Sequence, residues 1–159
     1  MMVGGFFGGF TYSVRGGVFC NAQTANIVLL GLSLGRGQFA HAAYYLLPIS
    51  AYLLGSFVSE HIALPIKRLR FILIEMIVVI FLGLLPESAP VQISQVAINF
   101  ICSMQYNTFR QAQSVPMATT FCTNHVRQVG VAISKAIRHK DKSPYVSRML
   151  LHLGMLGMF

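Results

Sequence analysis

The sequence predicts an all-α fold, a polytopic transmembrane helix bundle with interrupted helices and an inverted repeat. The first observation is composition: 55% of the 159 residues are hydrophobic and only 10% are charged, against about 25% charged in an average soluble domain. The second is that the apolar residues form long uncharged runs, with a mean hydropathy of +0.64 overall. The third is a pair of similar polar segments. A soluble domain of this size needs more charged surface, whereas a bilayer favours uncharged runs.

Four membrane-crossing helices are predicted, and a fifth begins. They occupy residues 3–34, 42–58, 69–85 and 91 to beyond 102, with the fifth at 145–159. The first is interrupted near Arg15, Gly16 and Gly17. The second contains Pro48, which a membrane helix tolerates because neighbouring helices satisfy the freed carbonyl. Since the last segment is apolar only over 149–159 and a crossing needs about 20 residues, we expect the chain to stop partway through a helix.

The distribution of Lys and Arg predicts the orientation of these helices. The turn at 86–90 carries Glu87 and no cation, and Arg36 is a lone cation in the preceding outer loop. One basic cluster lies between the second and third helices, and it consists of Lys67, Arg68 and Arg70. The other follows the fourth helix, and it consists of Lys135, Arg138, His139, Lys140 and Lys142. The positive-inside rule therefore places both clusters and the N-terminus in the cytoplasm and the turn outside.

Two polar segments resemble each other at a spacing of 99 residues. They are 21–31 and 120–130, so that Thr24 aligns with Thr123 and Gly31 with Gly130. Each follows a Gly- or Pro-containing break, and three crossings separate them, which would invert the second unit. Inverted repeats with interrupted helices recur in secondary transporters. We expect one membrane domain over 1–159, with repeat unit 1 at about 1–85 and an incomplete unit 2 at about 91–159.

The polar groups at these two breaks are the predicted ligand-binding residues. The N-terminus of a half-helix carries free N–H groups and a partial positive charge that suit an anion, and a guanidinium matches carboxylate and phosphate. The candidates are Arg15, Asn21, Gln23, Thr24, Asn26, Arg110, Thr119, Thr120, Thr123, Asn124 and His125. The alternative is that the uncharged groups cap helices and bond neighbouring helices, while both arginines anchor to headgroups.

Glu75 lies within the third predicted helix. A charged carboxylate at mid-helix costs roughly 2.5–3.5 kcal/mol on insertion scales, so it should be protonated, paired or facing a polar cavity. This predicts a role in proton coupling. The alternative is a satisfied carboxylate near the cytoplasmic interface.

A basic segment after the fourth helix predicts contact with anionic lipid headgroups at the cytoplasmic face. Its apolar stripe and its cations have the pattern of a helix at the interface, and regulatory protein binding is the alternative. The stripe is Val126, Val129, Ala132 and Ile133, and the cations are Arg127, Lys135, Arg138, Lys140 and Lys142.

Several classes of function are disfavoured by the residues. The net charge of +8, from 12 Lys and Arg against 4 Asp and Glu, comes from cations between apolar runs, which argues against a nucleic-acid partner. Cys20, Cys102 and Cys122 are widely spaced and odd in number, so we expect buried reduced thiols rather than a disulfide framework or metal site. No nucleophile–base pair or paired carboxylates stand out, so we predict no enzyme, catalytic residue, cofactor or metal.

Several separate motifs, in order, resemble the YoaK-type family of small multi-pass bacterial membrane proteins. They are GGFF at 4–7, RGGVFCNAQTANIVLLG at 15–31, YLLPISA at 45–51, MQYNTFR at 104–110 and PMATTFCT at 116–123. The resemblance covers nearly the whole chain and implies a membrane fold in the bacterial inner membrane, without an assigned reaction. Family members are longer, so it also implies a C-terminally truncated copy.

Two classes of function stay open at this point. The first is a transporter-like protein for a small solute, and the predicted site would suit a solute with an anionic group. The second is a non-transport structural or partner-binding membrane component, or an inactive truncated copy. The expected partners are the lipid bilayer, a small solute and further copies of the chain, because a shortened bundle has faces to cover.

Overall fold

The structure, a computed structural model, is helical throughout most of the residues it describes. Those residues are 2–61, 67–86, 88–109, 111–112, 115–116 and 122–159. Within them lie seven helices: α1 (Met2–Ser13), α2 (Gln23–Gly35), α3 (Phe39–His61), α4 (Lys67–Gly83), α5 (Val91–Thr108), α6 (Cys122–Arg138) and α7 (Ser143–Gly157). Two-residue strands, β1 (Gln111–Ala112) and β2 (Val115–Pro116), pair antiparallel. The predicted all-α class is therefore confirmed, with this short strand pair as the one addition seen in the described residues.

The chain divides into two compact units, each described here by itself. The larger unit is Phe7–Thr108 and the smaller one consists of Met1–Phe6 and Phe109–Phe159. In the larger unit α5 packs on α3 and α4, and α2 packs on α3. In the smaller unit α6 packs on α7. The prediction of a single membrane domain built from two repeat units stays a prediction.

The predicted interruption of the first helix is confirmed, and glycine explains it. α1 ends at Ser13 and α2 begins at Gln23. Between them Gly16 and Gly17 have φ of 84° and 73°, a left-handed conformation that side chains with a Cβ rarely adopt. Gly16 also lies close to a neighbouring side chain, because a Cβ there would stand 2.8 Å from Nε2 of Gln95. The backbone can therefore turn here only because these residues are glycine.

α2 ends in a Schellman motif, which fixes the turn into α3. Gly37 has φ of 70°. Its N–H donates to the carbonyl of Leu34 at 3.0 Å, and the N–H of Gln38 donates to the carbonyl of Ser33 at 2.9 Å. This pair of bonds satisfies two carbonyls that a helix C-terminus otherwise leaves free.

Small and hydroxylated residues bring α3 and α5 together. A Cβ on Gly55 would collide with the carbonyl oxygen of Phe100 and stand 3.1 Å from its carbonyl carbon. Ser103 of α5 donates to the carbonyl of Tyr52 at 2.6 Å, and its Oγ lies 2.6 Å from Oγ of Ser56. Close backbone approach at small residues with hydroxyl bonds across the interface is typical of helix pairs in membranes.

The larger unit buries polar side chains and exposes apolar ones. A cluster of its apolar core consists of Phe7, Cys20, Leu82, Ile98, Ile101 and Cys102. Alongside it α5 buries Ser94, Gln95, Asn99, Ser103 and Gln105. The outer side of α4 exposes Leu69, Ile72, Leu73, Met76, Ile77, Val79, Ile80 and Phe81. α5 therefore buries polar side chains beside the apolar core, and α4 exposes an apolar side.

One helix in the described part of the chain is long and apolar enough to cross a membrane. It is α3, with 23 residues and hence a length of about 34 Å at 1.5 Å per residue, slightly more than the hydrocarbon core of a bilayer. Pro48 lies inside it and is buried. The helices predicted at 42–58, 69–85 and from 91 onward are confirmed as helices, as is the one beginning near 145, now α7. Whether α4, α5 and the α1–α2 pair cross a bilayer belongs to the proposal below.

Candidate functional site

A network of buried amide side chains holds the loop between α1 and α2. We call it the amide network and define it as Gln23 and Asn26 of α2, Gln95 and Asn99 of α5, and Tyr44 of α3. All five residues belong to the larger unit. Asn26, Gln95 and Asn99 are fully buried in the structure.

Asn26 bonds to the backbone of the loop as a neighbouring strand would. Its Oδ1 accepts the N–H of Phe19 at 3.1 Å, and its Nδ2 donates to the carbonyl of Phe19 at 2.7 Å. The second Nδ2 hydrogen goes to Oε1 of Gln23 at 3.0 Å. Because a backbone N–H can only donate and a carbonyl can only accept, these bonds also fix which way the amide points.

Gln23 connects α2 to α5. Its Nε2 donates to Oδ1 of Asn99 at 2.8 Å and to the carbonyl of Cys20 at 3.3 Å. Nδ2 of Asn99 donates in turn to the carbonyl of Gln95, one helical turn earlier, at 2.8 Å. The start of α2 is therefore tied to the middle of α5 by side chains rather than by a cap, since Ala22 at the N-cap offers no side-chain bond.

Gln95 bonds to the loop on the other side of the glycines. Its Nε2 donates to the carbonyl of Arg15 at 2.6 Å and also bonds to the hydroxyl of Tyr44. That hydroxyl donates to the carbonyl of Gly16 at 3.2 Å. Two carbonyls that the broken helix leaves free are satisfied in this way, as a buried backbone requires.

Two buried polar atoms of the loop and the amide network have no hydrogen-bond partner among the described residues: Oε1 of Gln95 and Nε of Arg15. Gln95 is buried, and Arg15 is half-buried with its guanidinium carbon 5.5 Å from the ring centre of Phe10. The loop and the network thus offer a cationic donor and an amide carbonyl acceptor. A small solute with an anionic group and a hydrogen-bond donor has the complementary chemistry.

The other residues predicted at the first break lie nearby but differ in exposure. Asn21 is buried, and a Cβ on Gly8 of α1 would stand 2.9 Å from its Nδ2. Thr24 is exposed on α2. Among the predicted residues of this break the structure therefore brings Gln23 and Asn26 into one network with the carbonyl of Arg15, and leaves Thr24 outside it.

The two cysteines of the larger unit pack together at the same loop. Sγ of Cys20 lies 3.4 Å from Sγ of Cys102, and both thiols are free and fully buried. Cys122, in the smaller unit, is half-buried and free. The predicted burial of the thiols is confirmed for the first two residues, and their reduced state stays a prediction.

In the smaller unit the predicted residues lie at the start of α6. Thr123 is exposed, and Asn124 accepts a bond from Nη2 of Arg127 at 3.2 Å. His125 is fully buried, with its Nδ1 2.9 Å from Nδ1 of His152 on α7. Arg110, Thr119 and Thr120 lie outside the described residues. The ligand role of this segment stays a prediction.

Glu75 lies half-buried in α4, and its Oε1 is buried with no hydrogen-bond partner among the described side chains and backbone. A buried carboxyl oxygen without a partner is costly whether or not the group is charged, so this atom is a candidate contact for a proton or a further polar group. Among all the residues that the structure describes, no group of three or more His, Cys, Asp or Glu side chains could hold a metal ion.

Sequence reasoning missed four residues of these arrangements: Tyr44, Gln95 and Asn99 around the loop, and His152 opposite His125. Gln95 and Asn99 are four residues apart on an apolar helix, so they share one face. That spacing was the available signal for the α5 side of the network. Nothing local marks Tyr44 or His152, whose partners are distant in sequence.

Comparison with known sequences identifies the family. The chain matches, over residues 1–159, the family described as "Protein of unknown function (DUF1275)". No curated protein and no solved structure matches the chain. The match confirms the resemblance seen in the motifs, since DUF1275 is the YoaK family. The chain therefore belongs to the DUF1275, or YoaK, family, whose function is unknown.

Proposed function

We propose that this protein is a multi-pass membrane protein of transporter type, which binds a small solute with an anionic group at the break between α1 and α2. The observation that carries the proposal is the amide network beside unpartnered Gln95 Oε1 and Arg15 Nε. Irregular backbone and buried polar groups at membrane depth are tolerated where they are enclosed by protein or line a cavity.

The polarity of the larger unit supports a membrane setting. α3 exposes Leu46, Leu47, Leu53, Leu54 and Phe57, and α4 exposes an equally apolar side. Exposed apolar surface of this extent is rare on soluble monomers and is typical of contact with lipid. The buried polar groups on α5 then face protein rather than hydrocarbon, as membrane helices require.

The two similar polar segments support the repeat. They are 21–31 and 120–130, at a spacing of 99 residues, and α2 begins within the first of them at Gln23. Paired segments of this kind at helix interruptions point to binding sites in transporters.

Reconstitution tests the proposal directly. The full chain would be placed in phosphatidylcholine vesicles and offered radiolabelled lactate, succinate, glutamate and inorganic phosphate in turn. We expect at least one to accumulate above protein-free vesicles. Arg15→Gln should reduce that uptake by at least about tenfold, as expected for the loss of a charge-assisted bond of about 1.5–3 kcal/mol.

A matched control is Ser33→Ala. Ser33 is a buried hydroxyl of α2 that bonds only within its own helix, to the carbonyl of Leu29 at 2.9 Å, so its loss should leave uptake unchanged. Accumulation of none of the four solutes, or equal loss with both variants, would overturn the proposal.

Glu75 is the proposed coupling group for the same transport. If its carboxyl takes up and releases a proton during transport, uptake should rise with an inward proton gradient, and Glu75→Gln should remove that dependence while solute binding persists. Uptake that ignores the gradient in the wild-type chain would exclude coupling.

A second candidate is a non-transport structural role, because most of the amide network is already satisfied internally. Asn26 uses both amide hydrogens and its oxygen within the protein. On this alternative the network only fixes a broken helix. Arg15→Gln would then lower thermal stability without any solute changing it, whereas the transport proposal requires a solute that stabilises the wild-type chain more than the variant.

A further inference from the structure

The exposed side of α6 carries an open hollow of about 450 Å³. Its lining alternates cations with small residues: Arg127, Lys135 and Arg138 surround Gly130 and Ser134. Gly130, Ser134, Lys135 and Arg138 lie three, seven, eight and eleven residues after Arg127, so the five residues follow one side of the helix. We call them the cationic groove. Gly130 leaves room for a ligand to approach the helix backbone, since nothing lies within 4 Å of where its Cβ would be.

The positive charge of the cationic groove is not neutralised by its own helix. α6 contains no Asp or Glu. Arg127 makes a bond at 3.2 Å to the neutral amide of Asn124, and Lys135 and Arg138 are exposed. In the loop that follows, Asp141 accepts the backbone N–H of Ser143 at 3.1 Å. Three cations around a hydroxyl and a bare backbone form a site for phosphate oxygens.

An exposed apolar stripe runs beside the groove. Val126, Ile133 and Ile137 are 59%, 43% and 76% exposed, and their spacing of seven and four places them on one side of α6. Val126 also lines the groove, so the two surfaces are continuous. The opposite side of the helix, with His125 and Ala132, is buried. A ligand for this surface therefore needs an anion and an apolar chain next to each other.

We propose that the cationic groove binds the phosphate headgroup of an acidic glycerophospholipid, whose acyl chains cover the stripe of Val126, Ile133 and Ile137. A free phosphate would leave the apolar stripe exposed, and a zwitterionic lipid would bring its own cation against Arg127, Lys135 and Arg138. The combination of a basic side and an apolar side is that of helices lying in the bilayer interface. This inference is independent of the solute site at the α1–α2 break.

Binding to three short-chain probes tests the proposal. The full chain in a neutral detergent would be titrated with dihexanoyl-phosphatidylglycerol, dihexanoyl-phosphatidylcholine and sn-glycerol 3-phosphate, and the Kd measured by thermophoresis. We expect the acidic lipid to bind at least about tenfold more tightly than either other probe, and its affinity to fall as salt rises.

Two pairs of variants separate the groove from general charge. The double variant Arg127→Gln with Lys135→Gln should raise the Kd for the acidic lipid about tenfold or more. The double variant Lys140→Gln with Lys142→Gln removes the same charge from the exposed loop after α6, and it should change that Kd less than about twofold. Gly130→Val should weaken binding by filling the groove without changing charge. Gly154→Val in α7 is its control, because both glycines have open space at the Cβ position.

Each contrary result overturns the proposal in a different way. Equal affinity for glycerol 3-phosphate would make the groove a site for soluble anions. Equal affinity for the phosphatidylcholine would mean apolar adsorption alone. Equal weakening by the loop variants would mean that diffuse charge, rather than the groove, attracts the lipid. Circular dichroism of each variant shows that the helices are intact.

Discussion

Asn26, Gln95 and Tyr44 show how single side chains stand in for backbone bonds where a helix is broken. The nine residues between α1 and α2 cannot satisfy their own N–H and C=O groups through a helical ladder. Three side chains from three helices bond to the backbone of Arg15, Gly16 and Phe19 instead. The same side chains leave Oε1 of Gln95 unpartnered among the described groups. Structural support and a candidate ligand contact thus come from the same residue.

Asn26→Leu should destabilise the larger unit by at least about 2 kcal/mol. The substitution keeps the volume but leaves the buried N–H and carbonyl of Phe19 without partners, and each unsatisfied group costs about 1–3 kcal/mol. Unfolding in detergent can be followed with a thiol-reactive dye, because Cys20 and Cys102 are fully buried. In the variant they should react at a lower temperature.

The control for this prediction is Thr24→Val. Thr24 lies on the same helix but is exposed, so its replacement should change stability by less than about 0.5 kcal/mol. If both variants melted like the wild-type chain, Asn26 would not support the loop.

The helices pair through two contrasting kinds of contact. α3 and α5 approach closely through Gly55 and the hydroxyls of Ser56 and Ser103, so their interface depends on the absence of bulk. α6 and α7 instead pair through two buried imidazoles. The two kinds of contact lead to different predictions for the α3–α5 pair and the α6–α7 pair.

Gly55→Ala should destabilise the α3–α5 pair by about 1–3 kcal/mol, the usual cost of adding a group to a packed interface. A Cβ at this position meets backbone rather than a movable side chain. Thermal unfolding in detergent measures the loss. Gly31→Ala is the control, because Gly31 lies in α2 with nothing within 4 Å of its Cβ position. That change should be neutral or raise stability by up to about 1 kcal/mol through helix propensity. The reverse order of stabilities would contradict the close approach.

Acidification should loosen α6 from α7. In the neutral pair one Nδ1 donates to the other at 2.9 Å. Both rings are buried, and a second proton on the pair would set two N–H donors against each other at this distance. We therefore expect the contact to hold at pH 8 and to weaken as pH falls below about 6.5, where free imidazole titrates.

Amide hydrogen exchange measures this loosening. After correction for the intrinsic rate, α6 and α7 should exchange faster at pH 5 than at pH 8, while α3 and α5 do not. The double variant His125→Leu with His152→Leu should lose the pH dependence, and the exposed His139→Gln should keep it. Equal protection of α6 and α7 at both pH values would exclude the imidazole pair as a pH-sensitive contact.

At the scale of the whole molecule, the distribution of polarity and charge bears on the proposed membrane setting. In the larger unit α5 buries amides and hydroxyls, and α3 and α4 expose apolar side chains. This feature supports the proposed multi-pass arrangement in the bacterial inner membrane. The proposed cytoplasmic N-terminus rests on the positions of the cations along the sequence and the positive-inside rule.

Cysteine labelling tests that orientation. In a chain with Cys122→Ser, a cysteine introduced at Ser88 should react with a membrane-impermeant maleimide in intact spheroplasts. One introduced at Lys140 should react only after the membrane is opened. Ser88 lies in the turn that carries no cation, and Lys140 in the exposed basic loop. The opposite pattern would invert the proposed topology, and labelling of both sites from outside would exclude it.

The sequence by itself determined the helical class, the position of the first interruption and membership of the family. These properties follow from local features: uncharged runs specify apolar helices, and Gly16 with Gly17 permits backbone angles that other residues avoid. The polar residues after the break were also visible as candidates, and Gln23 and Asn26 do lie in the network.

Only the tertiary structure decided which groups meet. Gln95 bonds to Arg15 across 80 residues of sequence, Gln23 to Asn99 across 76, and His125 to His152 across 27. No local pattern encodes these pairs, because they depend on how α3 and α5 approach through Gly55 and on how α6 packs on α7. Helix positions are set by short-range propensity and hydrophobicity, whereas the partners of buried polar groups are set by the packing that brings distant faces together.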